Sequence, residues 1–147
     1  MDIRVQQAPF DFGAECESFA AGRRDIGAVV TFCGIVREDD GQPLHQMEIE
    51  HYPGMTEKAL ADIARNATTR WGLLDCLIIH RYGPLRPGER IMMVATAARH
   101  RATAFAAADF LMDYLKSRAP FWKKENNAAG SAWVAAKDED EAALKRW

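Results

Sequence analysis

Between Thr56 and Trp71 the apolar residues Leu60, Ile63, Ala64, Ala67 and Trp71 recur at i, i+3, i+4, i+7 and i+11. That spacing predicts an amphipathic helix, with Glu57 in its first turn and Gly72 as its stop. A second, alanine-rich helix is predicted over Arg101–Arg118, with Phe105, Ala108, Met112 and Leu115 as its apolar stripe. Pro120 ends it, because proline lacks a backbone donor and disfavours helix at the residue before it. Strand patterns fill much of the rest. Gly27–Cys33, GAVVTFC, is rich in β-branched residues and reads as a buried strand. Met47–Tyr52 alternates apolar and polar, as a half-exposed strand does, and Pro53-Gly54 breaks it.

Leu74–Tyr82 and Arg90–Ala97 read as two further strands joined by GPLRPG, in which Pro87-Gly88 suits a type II turn. Residues 38–43, EDDGQP, read as a loop of turn formers, and residues 131–137 as a last strand. The terminal DEDEAALKRW places acids first and bases last, matching a short helix's dipole. Strands and helices mix without strict alternation. The expected class is therefore α+β, with a largely antiparallel sheet packed against helices. No repeat, low-complexity tract or long linker interrupts residues 1–147, so one domain is expected.

Composition changes this picture little: 48% hydrophobic and 27% charged residues are ordinary for a globular domain. The longest apolar run, residues 26–36, is too short to span a bilayer, and the N-terminal MDIRVQQAPF lacks the pattern of a signal peptide. The expected location is the cytoplasm. Cys16, Cys33 and Cys76 lie far apart, with no CxxC and no His at ligand spacing, so neither a disulfide framework nor a metal site is expected. Cys33 reads as a small buried hydrophobe without a visible base beside it.

Charge is more informative. From Arg99 to Lys124 six Lys/Arg face only Asp109 and Asp113, a local +4 that leaves −6 for the rest of a chain whose net charge is −2. A nucleic-acid binder would be basic throughout. A basic island on an acidic body instead points to a discrete anionic ligand or partner.

Two clusters make up the island. Arg99-His100-Arg101 sits at a helix N-terminus, where cations oppose the dipole, and two guanidinium groups beside free N–H groups would hold a phosphate. Side chains directed into solvent are the other reading. In the second cluster, Lys116 precedes and Lys123-Lys124 follow the apolar turn Ala119-Pro120-Phe121-Trp122. A solvated basic corner is one reading here. The other has the turn bring Lys123 back toward Lys116, where mutual repulsion favours a neutral amine able to act as base or nucleophile. His100 and Lys116 lie sixteen residues apart, about 24 Å along a helix, too far for one small ligand to touch both. They serve separate sites, or a second copy of the chain completes the pocket. Arg37, at the end of the first strand and before the loop, is a further candidate. His45, His51 and His80 show no metal-ligand spacing and read as structural or surface residues. No phosphate-binding loop, GxGxxG or GxSxG occurs, which weakens a nucleotide-binding regulator.

FCGIVR (32–37), EHYPGMTEKAL (50–60), HRYGPLRPGE (80–89), ARHR (98–101), MDYLKSRAPFWKKE (112–125) and KRW (145–147) together resemble the large, catalytic subunit of molybdopterin synthase. The resemblance runs in order along nearly the whole chain. It implies an α+β fold with an α/β-hammerhead subdomain and a homodimer binding two small ubiquitin-like sulfur-carrier subunits, a heterotetramer overall. The carrier's C-terminal Gly-Gly tail, as a thiocarboxylate, would deliver two sulfurs to cyclic pyranopterin monophosphate, giving the dithiolene of molybdopterin. No cofactor, nucleic acid or membrane is implied.

By motif position the resemblance implies Lys116 and Lys123 as catalytic residues. Arg37, His100 and Arg101 would bind substrate, with Lys124 and Glu125 lining the same pocket. Ile35 stands where some relatives carry a basic residue, and Cys33 is not required by the family's chemistry. A different class of reading is a non-catalytic dimeric scaffold whose basic pocket docks an acidic or C-terminal-tail partner.

Overall fold

The computed structural model describes residues 1–38, 41, 43–135 and 137–147. Strand β1 (Asp2–Gln6) and helix α1 (Phe12–Ser18) precede β2 (Ala28–Ile35), β3 (Leu44–His51) and helix α2 (Met55–Trp71). Then come β4 (Asp75–Arg81), β5 (Gly83–Leu85), β6 (Arg90–Ala98), the long helix α3 (Arg101–Arg118), β7 (Phe121–Asn127), β8 (Gly130–Trp133) and α4 (Asp138–Ala143).

Two four-stranded sheets result, ordered β1-β4-β6-β2 and β5-β3-β7-β8. All their pairings are antiparallel except β1 with β4. The α+β, largely antiparallel expectation holds. A single cluster of buried side chains joins the sheets: Ile78 and Val94 of the first meet Leu44, Ile49 and Leu85 of the second, with Leu60 of α2 and Phe110 and Leu111 of α3.

Helix α2 follows its sequence signals. The Glu57 carboxylate accepts the Gly54 N–H at 2.6 Å, and Gly72 takes the left-handed conformation, its φ of 60°, that closes the helix. Helix α3 spans the expected residues, with a buried face that only partly matches the expected stripe. Its buried positions are Ala104, Ala107, Ala108, Phe110, Leu111 and Leu115, whereas Phe105 is 61% exposed. Of the expected stripe, Ala108 and Leu115 are buried and Met112 packs against the core, so Phe105 alone is corrected, and the buried face widens to Ala104, Ala107, Phe110 and Leu111. Small side chains let the helix axis approach β6 and β2 closely, so the alanines carry the contact.

The buried strand expected at Gly27–Cys33 is also corrected. It is β2, an edge strand that runs on to Ile35 and leaves Val29, Phe32 and Ile35 exposed. Its apolar character therefore does not report burial on both faces. Cys33 is half-buried rather than buried, and burial pushes its thiol up.

Three strands were not expected from the sequence: β1 over Asp2–Gln6, β5 and β7. β5 lies inside the GPLRPG connection and pairs with β3. β7 occupies the supposed basic corner and runs between β3 and β8. The loop expected at 38–43 and the strand expected at 131–137 each include positions outside the described residues (39, 40, 42 and 136). Of the latter, residues 131–133 belong to β8.

Candidate functional site

Pro120 turns the chain from α3 directly into β7, and this junction assembles the lysine cluster. Lys116 projects from the last turn of α3, and Lys123 follows as the third residue of β7. Burial, and after it the Lys116 ammonium, pull the Lys123 amine below its ordinary pKa. Asp140 and Glu125 pull it the other way, and Lys137 adds to the lowering. The two lysines are therefore brought within electrostatic reach, the outcome that the turn reading had left open.

The strand sorts the remaining residues. Side chains alternate along β7, so Phe121, Lys123 and Glu125 share one face while Trp122 and Lys124 share the other. On that second face the Lys124 ammonium lies 5.5 Å from the Trp133 ring centroid, and Trp122 meets Tyr52 edge-on at 4.4 Å. Lys124 thus stands apart from the Lys116–Lys123 pair within one chain, whereas Glu125 stays on the Lys123 face.

Behind Lys123 lies an aromatic stack that the sequence reading had assigned only to structure or surface. The His80 ring packs on Phe121 at 3.8 Å between centroids and 17° between planes. His51 reaches Phe121 at 6.2 Å and Tyr82 at 4.4 Å. His80 is buried, and its Nδ1–H donates to the Arg81 carbonyl at 2.8 Å, which assigns the tautomer. Burial lowers the His80 pKa to about 4, with the neighbouring Lys123 and His51 acting in the same direction. Its ring is neutral at pH 7. The only sequence signal for it was a histidine ending the apolar run CLIIH (76–80).

The other basic cluster lies elsewhere. Arg99, His100 and Arg101 are exposed around the start of α3, and His100 occupies the N-cap position without a side-chain capping bond. This leaves first-turn N–H groups without a side-chain cap at a helix end that carries two exposed arginines, a chemistry suited to an anion. Arg37 lies at yet another place. It follows β2, whose end pairs with the beginning of β6 (Ile35 opposite Arg90), whereas β6 ends beside His100. The length of β6 separates Arg37 from His100 by about 26 Å. One guanidinium N–H of Arg37 donates to the Glu38 carbonyl at 3.3 Å.

One chain thus brings Lys116, Lys123 and Glu125 together and holds His100 and Arg101 about a helix length away. Among the described residues, no three His, Cys, Asp or Glu side chains gather to hold a metal ion.

A family model described as MoaE protein matches residues 5–118. The molybdopterin synthase catalytic subunit of Cereibacter sphaeroides is 65% identical over 147 residues, covering 100% of both chains. That of Pseudomonas aeruginosa is 55% identical, covering 100% of this chain and 99% of its own. Among solved structures, the molybdopterin biosynthesis MoaE protein of Burkholderia ambifaria superposes with a TM-score of 0.85 at 51% identity, over 99% of this chain and 97% of that one. Molybdopterin synthase from Staphylococcus aureus superposes with a TM-score of 0.82 at 32% identity, over 90% of this chain and 96% of its own. With a family match across most of its length and relatives this similar end to end, the chain belongs to the MoaE protein family.

Proposed function

We propose that this protein is the catalytic subunit of a molybdopterin synthase, acting as one domain over residues 1–147. It transfers two sulfurs from the C-terminal thiocarboxylate of a small carrier subunit to cyclic pyranopterin monophosphate. The observation that carries this reading is the Lys116–Lys123 pair at the α3–β7 junction, one amine half-buried with its pKa held down. Relatives named as the catalytic subunit at up to 65% identity support it.

The chemistry asks for little beyond what these residues supply. The thiocarboxylate sulfur is already nucleophilic, so the protein must position it, offset charge as the cyclic phosphate opens, and move protons. Lys123, lowered in pKa, is the proton donor or acceptor; Lys116 holds the acyl end of the carrier tail. His100 and Arg101 take the phosphate, with Arg37 a further contact. The exposed Tyr52 and Met55, with Trp122 on the face of β7 away from Lys123, offer an apolar landing for the carrier.

Because His100 and Lys116 stand about 24 Å apart on one helix, a complete pocket draws on two copies of the chain. The assembly is a homodimer carrying two carriers, a heterotetramer. A solved complex of subunits 1 and 2 of molybdopterin-converting factor from Helicobacter pylori, 19% identical, shares the fold (TM-score 0.75). The reaction belongs in the cytoplasm; among the described residues no helix is long and apolar enough to cross a membrane.

The test is direct turnover. Purified protein is mixed with thiocarboxylated carrier and cyclic pyranopterin monophosphate, and the dithiolene is assayed beside Lys116→Ala. Product from the wild type and a loss of about 10²-fold or more in the variant, which no longer positions the carrier tail, is the expected result. A stable carrier complex without product would instead leave a docking scaffold.

A further inference from the structure

Helix α4 lies against the end of α3, and two bonds fix it there. The Ser117 hydroxyl donates to the Asp140 backbone carbonyl at 2.9 Å, and the Arg118 guanidinium donates to the Glu141 carboxylate at 2.6 Å. Both anchors come from the residues immediately after Lys116. They present the Asp140 carboxylate to the lysine cluster, with one of its oxygens 4.0 Å from the Lys116 ammonium nitrogen. The Asp140 side chain is 27% exposed against 49% for Lys116, so the carboxylate is the more enclosed partner.

We propose that Asp140 is a positioning residue for the lysine pair, its carboxylate steering the Lys116 ammonium toward the pocket and offsetting the cations around Lys123. This inference rests on the catalytic reading of the two lysines and adds a residue to it.

The charges facing Lys123 show why such a group matters. From α3 comes Lys116, from the segment before α4 comes Lys137, and from β4 comes the neutral His80. Across the sheet, β3 places the uncharged Ile49 directly opposite. Glu125 sits two residues along the same strand. Asp140 is thus the carboxylate that a separate element delivers to both lysines at once. It acts on Lys123 against burial, Lys116 and Lys137, and so limits how far that amine is driven toward neutrality.

The contact is also weak enough to be exchanged. At 4.0 Å and with a half-exposed lysine, it holds a side chain in place without locking it. An arriving anionic group can take over Lys116 from Asp140, so the empty site keeps its lysines ordered and its charge partly balanced.

The experiment follows the lysine directly. In the full-length protein with isotope-labelled lysine, the Lys123 titration is read by NMR, assigned by loss of its signal in Lys123→Arg. Removal of the Asp140 charge in Asp140→Asn should move the Lys123 midpoint down by about half a pH unit. Glu141→Gln, which weakens the α4 anchor but keeps Asp140, should leave it in place, and both variants should melt within about 3 °C of wild type. The same downward displacement should appear in the pH dependence of single-turnover sulfur transfer. An unmoved Lys123 midpoint in Asp140→Asn overturns the proposal, and so does an equal shift in Glu141→Gln, which would assign the effect to helix docking. The titration needs no turnover. A shifted midpoint in a protein that forms no dithiolene would sink the catalytic reading alone, whereas normal turnover with an unmoved midpoint would sink the Asp140 role alone.

Discussion

His80 and Phe121 stack face to face, 3.8 Å between ring centroids, and in doing so tie the central strand of the first sheet's core to the strand that carries Lys123. The partner ring must be uncharged for this arrangement to be stable, because burial penalises an imidazolium and the neighbouring Lys123 repels it. Burial is the main cause of the lowered His80 pKa, about 4 against an ordinary 6.5.

That depression makes His80 a source of acid sensitivity. The folded-state pKa lies below the unfolded value, so as pH falls through 6.5 the unfolded chain takes up the proton first. Stability unaffected by this group at neutral pH is lost between pH 6.5 and about 4 and then levels off. The full effect is on the order of 3 kcal/mol. His80→Phe keeps a ring on Phe121 and removes the titration. Urea unfolding at pH 7, 6, 5 and 4 should show a shallower loss in the variant than in the wild type. Parallel curves would mean that His80 titrates normally.

Lys123 offers a test of its protonation state. Its pKa is lowered, first by burial and next by Lys116, so its neutral form is reached at lower pH than for a free lysine. Lys123→Arg preserves charge and length but cannot lose its proton near neutral pH. If the neutral amine moves a proton, single-turnover sulfur transfer should fall about 10²-fold or more at every pH from 7 to 9. Wild-type rates in the arginine variant would show that Lys123 contributes only positive charge.

How far the sequence disclosed this arrangement depends on what each segment needed from the rest of the chain. Helix α2 was legible to within a residue because its apolar period, Glu57 and Gly72 all act locally. The span of α3 was equally clear and its buried face partly so: Ala108 and Leu115 lay in the expected stripe, but Phe105 was counted with them, although contact with β6 and β2 selects small residues. β7 was hidden for a different reason. FWKKENN has weak strand character, and only pairing with β3 and β8 on either side makes it one. The site inherited that blindness. Lys116 and Lys123 could be nominated, yet the separation of Lys124 onto the other face required knowing that the segment is a strand. Asp140 carried no signal at all, since its acidic run is what any helix start would show.

Gly27 controls the other end of α3. A Cβ at this position would stand 2.3 Å from the Arg99 carbonyl oxygen, a backbone atom that cannot swing aside. Its own N–H donates to the Ala98 carbonyl at 3.0 Å, so the two segments are held in register as well as in contact. Gly27→Ala should cost about 1–3 kcal/mol and lower the melting temperature by roughly 3–9 °C. It should also displace His100 and Arg101 and weaken cyclic pyranopterin monophosphate binding more than carrier binding. Gly13→Ala, whose added methyl meets only the Asp11 carboxylate at an ordinary 3.5 Å, is the control and should melt near wild type. Equal behaviour of the two variants would show that the Gly27 contact relaxes freely.

The division of the basic residues between the two ends of α3 yields the sharpest test of the shared pocket. His100 caps the helix at one end and Lys116 lies in the last turn at the other, about 24 Å away. If each pocket takes His100 from one copy and Lys116 from the other, His100→Ala and Lys116→Ala are each inactive as pure dimers. A mixed dimer, in contrast, has one pocket with both lesions and one with neither. Random pairing makes half of the dimers mixed, so co-expressed variants should recover about a quarter of wild-type activity. Isolating the mixed dimers with distinct affinity tags should raise that to about half. Two pockets each built within a single chain would carry one lesion apiece in every dimer. Mixing would then restore nothing, and His100 and Lys116 would have to serve separate ligands.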